Sequence, residues 1–87
     1  MSLLFFYNEL KNNKILDKFF NDYEIIDDGF VELKNKNLKL YGKVVKINHE
    51  LNDIVDIINK EQKISKTEIV NVSNIYKSVE YICFILL

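Results

Sequence analysis

The fold is decided by one stretch, Leu3-Leu4-Phe5-Phe6-Tyr7 followed by Asn8-Glu9-Leu10. Five apolar residues, three of them aromatic, are too few to cross a membrane, and they favour a buried strand over a helix. We expect this run to be the central strand of a small sheet. Asn8 and Glu9 then place a loop at the C-terminal end of the strand, where ligand sites are common.

Length and composition predict a single folded domain over residues 1–87. The sequence is 48% hydrophobic and 13% aromatic, which is too apolar for a disordered tail. A chain of this length can bury somewhat more than about 60% of the surface that its unfolded form exposes. That is enough for one core and no second domain.

The charged residues argue against nucleic acid as a partner. The formal net charge is −1, and the chain has no Arg, the residue whose guanidinium fork recognises phosphates and guanine edges. It is rich in Lys, Asn and Ile and lacks Ala and Pro. This bias is typical of adenine/thymine-rich genomes, so it suggests a viral or mobile-element protein and gives the lysines no functional meaning by itself.

Cysteine and histidine usage points to a cytoplasmic protein with no metal and no cofactor. Cys83 is the only cysteine and His49 the only histidine, so neither an internal disulfide nor a Cys/His metal cluster can form. We interpret Cys83 as a small buried apolar residue. No secretory leader and no membrane span is expected, because the N-terminal apolar run is short and lacks a basic start.

Hydrophobic periodicity predicts the order strand, helix, strand, strand, helix, strand, strand. Both helices show an apolar face at helical spacing: Ile15, Leu16, Phe19 and Phe20 in the first, and Leu51, Ile54, Val55 and Ile58 in the second. Asn48 is the predicted N-cap of the second helix. The later strands are predicted at 23–34, 38–47, 67–72 and 75–86, with residues 81–86 buried on both faces.

Glycines mark two irregularities in these strands. Asp27-Asp28-Gly29 predicts a turn or bulge, and Gly42 predicts a bend or the close approach of another backbone. The fold class is therefore α+β: a small mixed, mostly antiparallel, curved sheet or barrel of about five strands with two short helices.

These residues resemble the gamma-glutamylcyclotransferase-like fold family. The resemblance rests on the element order, on the strand ending in Tyr7-Asn8-Glu9-Leu10, and on Leu40-Tyr41-Gly42-Lys43-Val44-Val45. In that family the first strand ends in a Tyr-Gly-x-Leu loop, and the helix after the middle strand ends in an acidic residue.

The resemblance implies a site and a chemistry. Backbone amides of the loop would hold a γ-glutamyl group while a carboxylate base promotes attack of the α-amine on the γ-carbonyl, which releases 5-oxoproline. Ligand-binding residues would be Tyr7, Asn8, Glu9, Leu10 and Asn59. The chain departs from the pattern at two of them, because Asn8 replaces the loop Gly and Asn59 stands where the base is expected.

The departures favour a binding domain over an enzyme, and two hypotheses follow. In the first, a degenerate gamma-glutamylcyclotransferase-like domain binds a small anionic or amino-acid-like ligand; any surviving catalysis would use Glu61 or Glu9. Tyr41, Tyr76 and Tyr81 are candidates to line a pocket. In the second, the domain is a non-enzymatic interaction module whose exposed sheet edge or aromatic patch binds a protein or a second copy of the chain.

Overall fold

The computed structural model describes residues 2–74 and 76–87. Within them the chain forms five strands and two α-helices in the predicted order: β1 (Ser2–Phe6), α1 (Asn13–Phe19), β2 (Tyr23–Leu33), β3 (Leu38–Ile47), α2 (Leu51–Asn59), β4 (Thr67–Ser73) and β5 (Glu80–Leu86). Short 3₁₀ turns follow β1 at Glu9–Lys11 and β2 at Lys34–Lys36. No helix in the described part of the chain is long and apolar enough to span a membrane.

The strands close into a barrel in the order β1-β3-β2-β4-β5. β1 runs antiparallel to β3 and parallel to β5, and the other pairings are antiparallel. The predicted α+β class with a mixed, mostly antiparallel barrel is thus confirmed. β1 lies between β3 and β5; because every strand of a closed barrel has two neighbours, no strand is central and the prediction of a central strand does not apply.

The barrel has an apolar core on each side of its wall. An interior cluster draws buried residues from all five strands and none from the helices: Phe5, Val31, Val44, Val72, Cys83 and Ile85. An outer cluster joins the opposite face of β1, β3 and β5 to Leu16 of α1 and to Ile54 and Ile58 of α2. Burying each large apolar side chain contributes about 1.5–3 kcal/mol, which is why the helices lie on this side.

Alternating residues of β1 enter both cores. Phe5 is 1% exposed in the interior cluster, whereas Leu4 and Phe6 are buried beneath the helices. This two-sided burial explains why the run is apolar at every position instead of at every second one.

A bulge in β2 directs an acidic residue into the interior. Ile25 pairs with Val45 and Asp27 with Val44, so the register shifts at Ile26. Ile25 consequently packs on the helix side, while Asp27 follows Val44 to the interior side. A bulge is thus present in β2, but it lies at Ile26 and not at the predicted Asp27-Asp28-Gly29, which pair in regular register with β3.

Gly42 is required by the close approach of β1. A Cβ atom at this position would lie 2.1 Å from the Phe6 carbonyl oxygen and 2.8 Å from Tyr7 Cα. Gly29, its partner across β2 and β3, faces β4 instead, where a Cβ would meet Val72 Cγ1 at 2.5 Å and the Ser73 oxygen at 2.9 Å. The predicted close backbone approach at Gly42 is confirmed.

Three predictions about segment ends and burial are wrong. The last strand begins at Glu80, not at residue 75, because the side chain of Asn74 accepts hydrogen bonds from the amides of Tyr76 and Lys77 and turns the chain there. Ile75 lies outside the described residues. Residues 81–86 are not buried on both faces, since Ile82 is 70% exposed.

The third error concerns the start of α2. Glu50 occupies the N-cap position and makes no side-chain cap hydrogen bond. Asn48 instead donates from Nδ2 to Asp22 Oδ2 at 2.9 Å, which ties the end of β3 to the start of β2. Asn48 thus bonds to Asp22, at the start of another strand, instead of capping α2 as predicted.

The barrel closes unequally around its circumference. β2 pairs with β3 along almost its whole length, but within the described residues it meets β4 at one pair only, Phe30 and Ser73. Beyond that pair the strands diverge around a cleft of about 270 Å³. We call this the β2–β4 cleft; residues 32–36 line one side, and Lys66, Glu68 and Leu87 line the other.

Candidate functional site

The loop after β1 uses its polar residue to hold itself together. Asn8 is extended (φ −105°, ψ −153°), and its Oδ1 accepts a hydrogen bond from the Leu10 amide at 3.0 Å. One backbone donor of the loop is therefore taken by the Asn8 side chain. Leu10 is 2% exposed and packs under the helices in the outer cluster.

Glu9 connects this loop to the segment after α2. Its Oε1 accepts a hydrogen bond from Gln62 Nε2 at 2.6 Å, although the two residues are 53 positions apart. The structure thus brings the loop after β1 into contact with the segment after α2. Both side chains lie at the surface, where water competes for the same contacts.

The residues at the end of α2 have structural roles or none. Asn59 Oδ1 accepts from the Ile64 amide at 2.9 Å and closes the turn after the helix. Glu61 is exposed, and its carboxylate makes no hydrogen bond or ion pair with the residues that the structure describes. Neither residue is directed at an enclosed space.

Tyr7 fills the end of the barrel interior. Its ring stacks on Phe5 with centroids 6.4 Å apart and packs against the interior cluster. Its hydroxyl donates to the Leu86 carbonyl at 3.4 Å, joining the end of β1 to the end of β5. Tyr7 therefore closes the barrel at the point where the loop leaves it.

One open depression of about 300 Å³ lies beside this loop. We call it the Tyr41 depression; it is lined by Lys11, Asp28, Gly29, Tyr41, Gly42, Lys43 and Tyr76. Lys11 comes from the 3₁₀ turn after β1, and the two glycines are partners on β2 and β3. The Cβ directions of both glycines are occupied, at Gly42 by the backbone of β1 and at Gly29 by β4, so the glycines contribute only backbone to the wall of the depression.

The depression combines aromatic surface with both signs of charge. Tyr41 is 53% and Tyr76 is 89% exposed, so their rings are free to contact a ligand. Lys11 and Lys43 supply ammonium groups and Asp28 a carboxylate. In the sequence, Tyr41 and Tyr76 were candidates to line a pocket, and they line this one together.

Tyr81, the third candidate tyrosine, lies elsewhere. Its hydroxyl donates to Asp27 Oδ2 at 2.9 Å, and Asn74 Nδ2 donates to Asp27 Oδ1 at 2.7 Å. The hydrogen bond from Tyr81, with that from Asn74, lowers the pKa of Asp27 below its usual value, against an opposing effect of burial. The same hydrogen bond raises the pKa of Tyr81. Both shifts favour the state in which Asp27 is a charged acceptor and Tyr81 is a neutral donor.

Cys83 behaves as the sequence predicts. It is 2% exposed among interior apolar residues, and burial raises the pKa of its thiol to about 11. A thiol in this environment is a packing residue and a poor nucleophile. Within residues 2–74 and 76–87, no three His, Cys, Asp or Glu side chains are grouped to hold a metal ion.

Comparison with known proteins leaves the fold and the geometry as the basis for assigning a function. No family model, no curated protein and no solved structure matches this chain.

Sequence reasoning missed three residues of the Tyr41 depression. Lys11, Asp28 and Lys43 come from different elements, and only the folded chain places them beside the tyrosines. The signal available was the alternation in β3, which puts Tyr41 and Lys43 on one face of the strand.

Proposed function

We propose that this chain is a compact gamma-glutamylcyclotransferase-like domain that binds a small anionic or amino-acid-like ligand without converting it. The observation that carries the proposal is the Tyr41 depression, where two tyrosines, two lysines and an aspartate surround a glycine floor beside the loop after β1. The element order and the contact between Glu9 and Gln62 support the kinship.

The lining suits a zwitterion with a net negative charge. Lys11 and Lys43 can each pair with a carboxylate of the ligand, and Asp28 can pair with its ammonium group. The tyrosine faces can cover the aliphatic part. Because the depression is open to solvent, we expect an affinity weaker than that of an enclosed pocket.

Lack of turnover follows from the state of the carboxylates. A carboxylate removes a proton from an ammonium group efficiently only when its surroundings raise its pKa, and burial is the usual cause. Glu61 and Glu9 are both exposed, and Glu9 is already bonded to Gln62. Asn59, at the position expected for the base, carries an amide and uses it to close a turn.

The proposal is tested by thermal unfolding in the presence of defined small molecules. The probes are L-glutamate, N-acetyl-L-glutamate, 5-oxoproline and the dication putrescine at 10 mM. A ligand at ten times its Kd stabilises by about 1.4 kcal/mol, which moves the Tm of a domain this size by several degrees. We expect L-glutamate to raise the Tm most and putrescine not to raise it.

Variants assign the effect to the depression. The double variant Lys11→Gln/Lys43→Gln should remove the stabilisation by L-glutamate, and Asp28→Asn should reduce it to the level of the N-acetyl compound. Lys14→Gln/Lys18→Gln, which alters two exposed lysines of α1, is the matched control and should change nothing. Equal responses of the two double variants, or no response to any anionic probe, would refute the site.

A further inference from the structure

The incomplete pairing between β2 and β4 leaves a strand edge open. β4 pairs with β5 along all seven of its residues, but it meets β2 only at Ser73 within the described chain. In an antiparallel sheet every second residue directs its N–H and C=O to each neighbour. Over residues 67–72 the described part of β2 therefore provides no paired residue for the groups on the far side from β5.

This edge lacks two of the features that usually prevent strand addition, a Pro and a bulge. Natural edges are protected by Pro, by bulges and by charged side chains, Lys above all. β4 has no Pro and keeps an unbroken register with β5. Its one charged residue, Glu68, forms a surface ion pair with Lys66 at 2.9 Å. Ile69 stands beside the edge with 67% of its surface exposed.

The β2–β4 cleft offers both apolar contact and positive charge to an incoming segment. Leu33 and Leu87 line it as half-buried apolar residues. Both glutamates of the lining have lysine partners, Glu32 with Lys39 at 3.9 Å and Glu68 with Lys66. Lys34 and Lys36 have no carboxylate partner among the described residues, so the mouth of the cleft carries excess positive charge.

The shape of the cleft selects a single extended segment. β2 and β4 remain joined at Phe30 and Ser73, so the opening is a wedge that narrows toward that pair. A strand already joined to its own sheet, such as β4 of a second copy, would bring a neighbouring strand into collision with β2. A free extended peptide has no such neighbour.

We propose that the β2–β4 cleft binds an extended peptide segment of a partner protein, apolar in its centre and acidic at its C-terminal end, which adds to the edge of β4. The segment runs antiparallel to β4, so its C-terminal end lies beside Thr67, near Lys34 and Lys36. Main-chain hydrogen bonds to β4 give affinity, and the charges fix the direction. This surface is separate from the Tyr41 depression, so the two proposals succeed or fail independently.

The test is fluorescence anisotropy of the intact chain with defined peptides. The probe is the fluorescently labelled peptide Ser-Val-Ile-Val-Leu-Asp-Glu-Asp. The two control peptides are the same sequence with Lys at the three acidic positions and a version N-methylated at the apolar residues. We expect the acidic probe to bind at least tenfold more tightly than either control peptide. Equal binding of the acidic and lysine peptides, or of the methylated and unmethylated peptides, would overturn the proposal.

Two pairs of variants locate the binding. Ile69→Lys should raise the Kd of the acidic probe at least tenfold, whereas Ile82→Lys should change this Kd less than twofold. Both isoleucines are about equally exposed, at 67% and 70%, but only Ile69 lies on the strand that borders the cleft. Lys34→Glu/Lys36→Glu should likewise abolish binding, and Lys14→Glu/Lys18→Glu should not. Equal effects within either pair would contradict the assignment.

Discussion

The two sides of this barrel are closed by different forces. Around β1, the wall pairs with β3 along the whole of β1 and with β5 at Leu4 and Phe5, and it is packed between the interior cluster and two helices. Between β2 and β4, the described residues contribute one strand pair, and nearby Asp27 accepts side-chain hydrogen bonds from Tyr81 and Asn74. The first side is apolar on both faces, and the second depends on a charged group.

This difference between the β1 side and the β2–β4 side indicates which part of the domain can respond to its surroundings. Apolar burial is nearly independent of pH, whereas a hydrogen bond to a carboxylate is lost when the carboxylate is protonated. The β2–β4 side also carries the edge of β4 where the proposed peptide would bind. The β1 side provides the rigid frame beside which the Tyr41 depression lies.

Substitutions at Gly29 and Gly42, which pair across β2 and β3, should show the largest difference between the two sides of the barrel. Gly42→Ala places a Cβ against the backbone of β1, which cannot retreat because both of its faces are packed. Gly29→Ala places one against Val72 and Ser73 of β4, the strand with the weaker attachment. Overpacking costs about 1–3 kcal/mol and sometimes more, so we expect about 3 kcal/mol or more for Gly42→Ala and about 1–2 kcal/mol for Gly29→Ala.

Urea unfolding of the two variants measures both values, and wild type provides the reference. Equal destabilisation, or a larger effect at Gly29, would show that the β2–β4 side is as tightly held as the β1 side.

A smaller loss of stability, which depends on pH, is expected from Tyr81→Phe. The folded-state pKa of Asp27 is lowered, so its contribution to stability is present above the unfolded pKa and disappears as pH falls through the folded pKa. The pKa of Tyr81 is raised, so its contribution is present below about pH 10 and is lost as pH rises through the folded value. The variant should therefore lower the Tm at pH 7 and have little effect near pH 2.

Thermal unfolding of wild type and variant across this pH range checks the sign. Tyr76→Phe is the control, because the Tyr76 hydroxyl makes no hydrogen bond within the described residues. A Tm difference for Tyr81→Phe that stays constant from pH 2 to pH 7 would mean that the Asp27 contact does not support this side.

Much of the fold could be predicted because its determinants are local. The uninterrupted apolar run at residues 3–7 indicated a buried strand, and helical spacing located both helices. Gly42 signalled the close approach of another backbone, which is that of β1. Each of these signals lies within a few residues of the feature that it predicts.

The rest depends on partners distant in sequence. Asn48 bonds to Asp22 in place of the helix, and Asn74 turns the chain before β5 while also reaching Asp27. Lys11, Asp28 and Lys43 meet only after the barrel closes. The weak pairing of β4 with β2 is equally invisible in the sequence of β4, which is typical of an ordinary strand.

The central claim, binding without conversion, is tested most directly by one NMR titration. The ¹⁵N-labelled chain is titrated with L-glutamate and then incubated with γ-glutamyl-alanine while the proton signals of 5-oxoproline are followed. We predict amide shifts centred on Lys11, Asp28, Tyr41, Lys43 and Tyr76, and no 5-oxoproline. Shifts centred on Glu9 and Gln62, with 5-oxoproline formation that Glu61→Gln abolishes, would contradict the account and identify an enzyme.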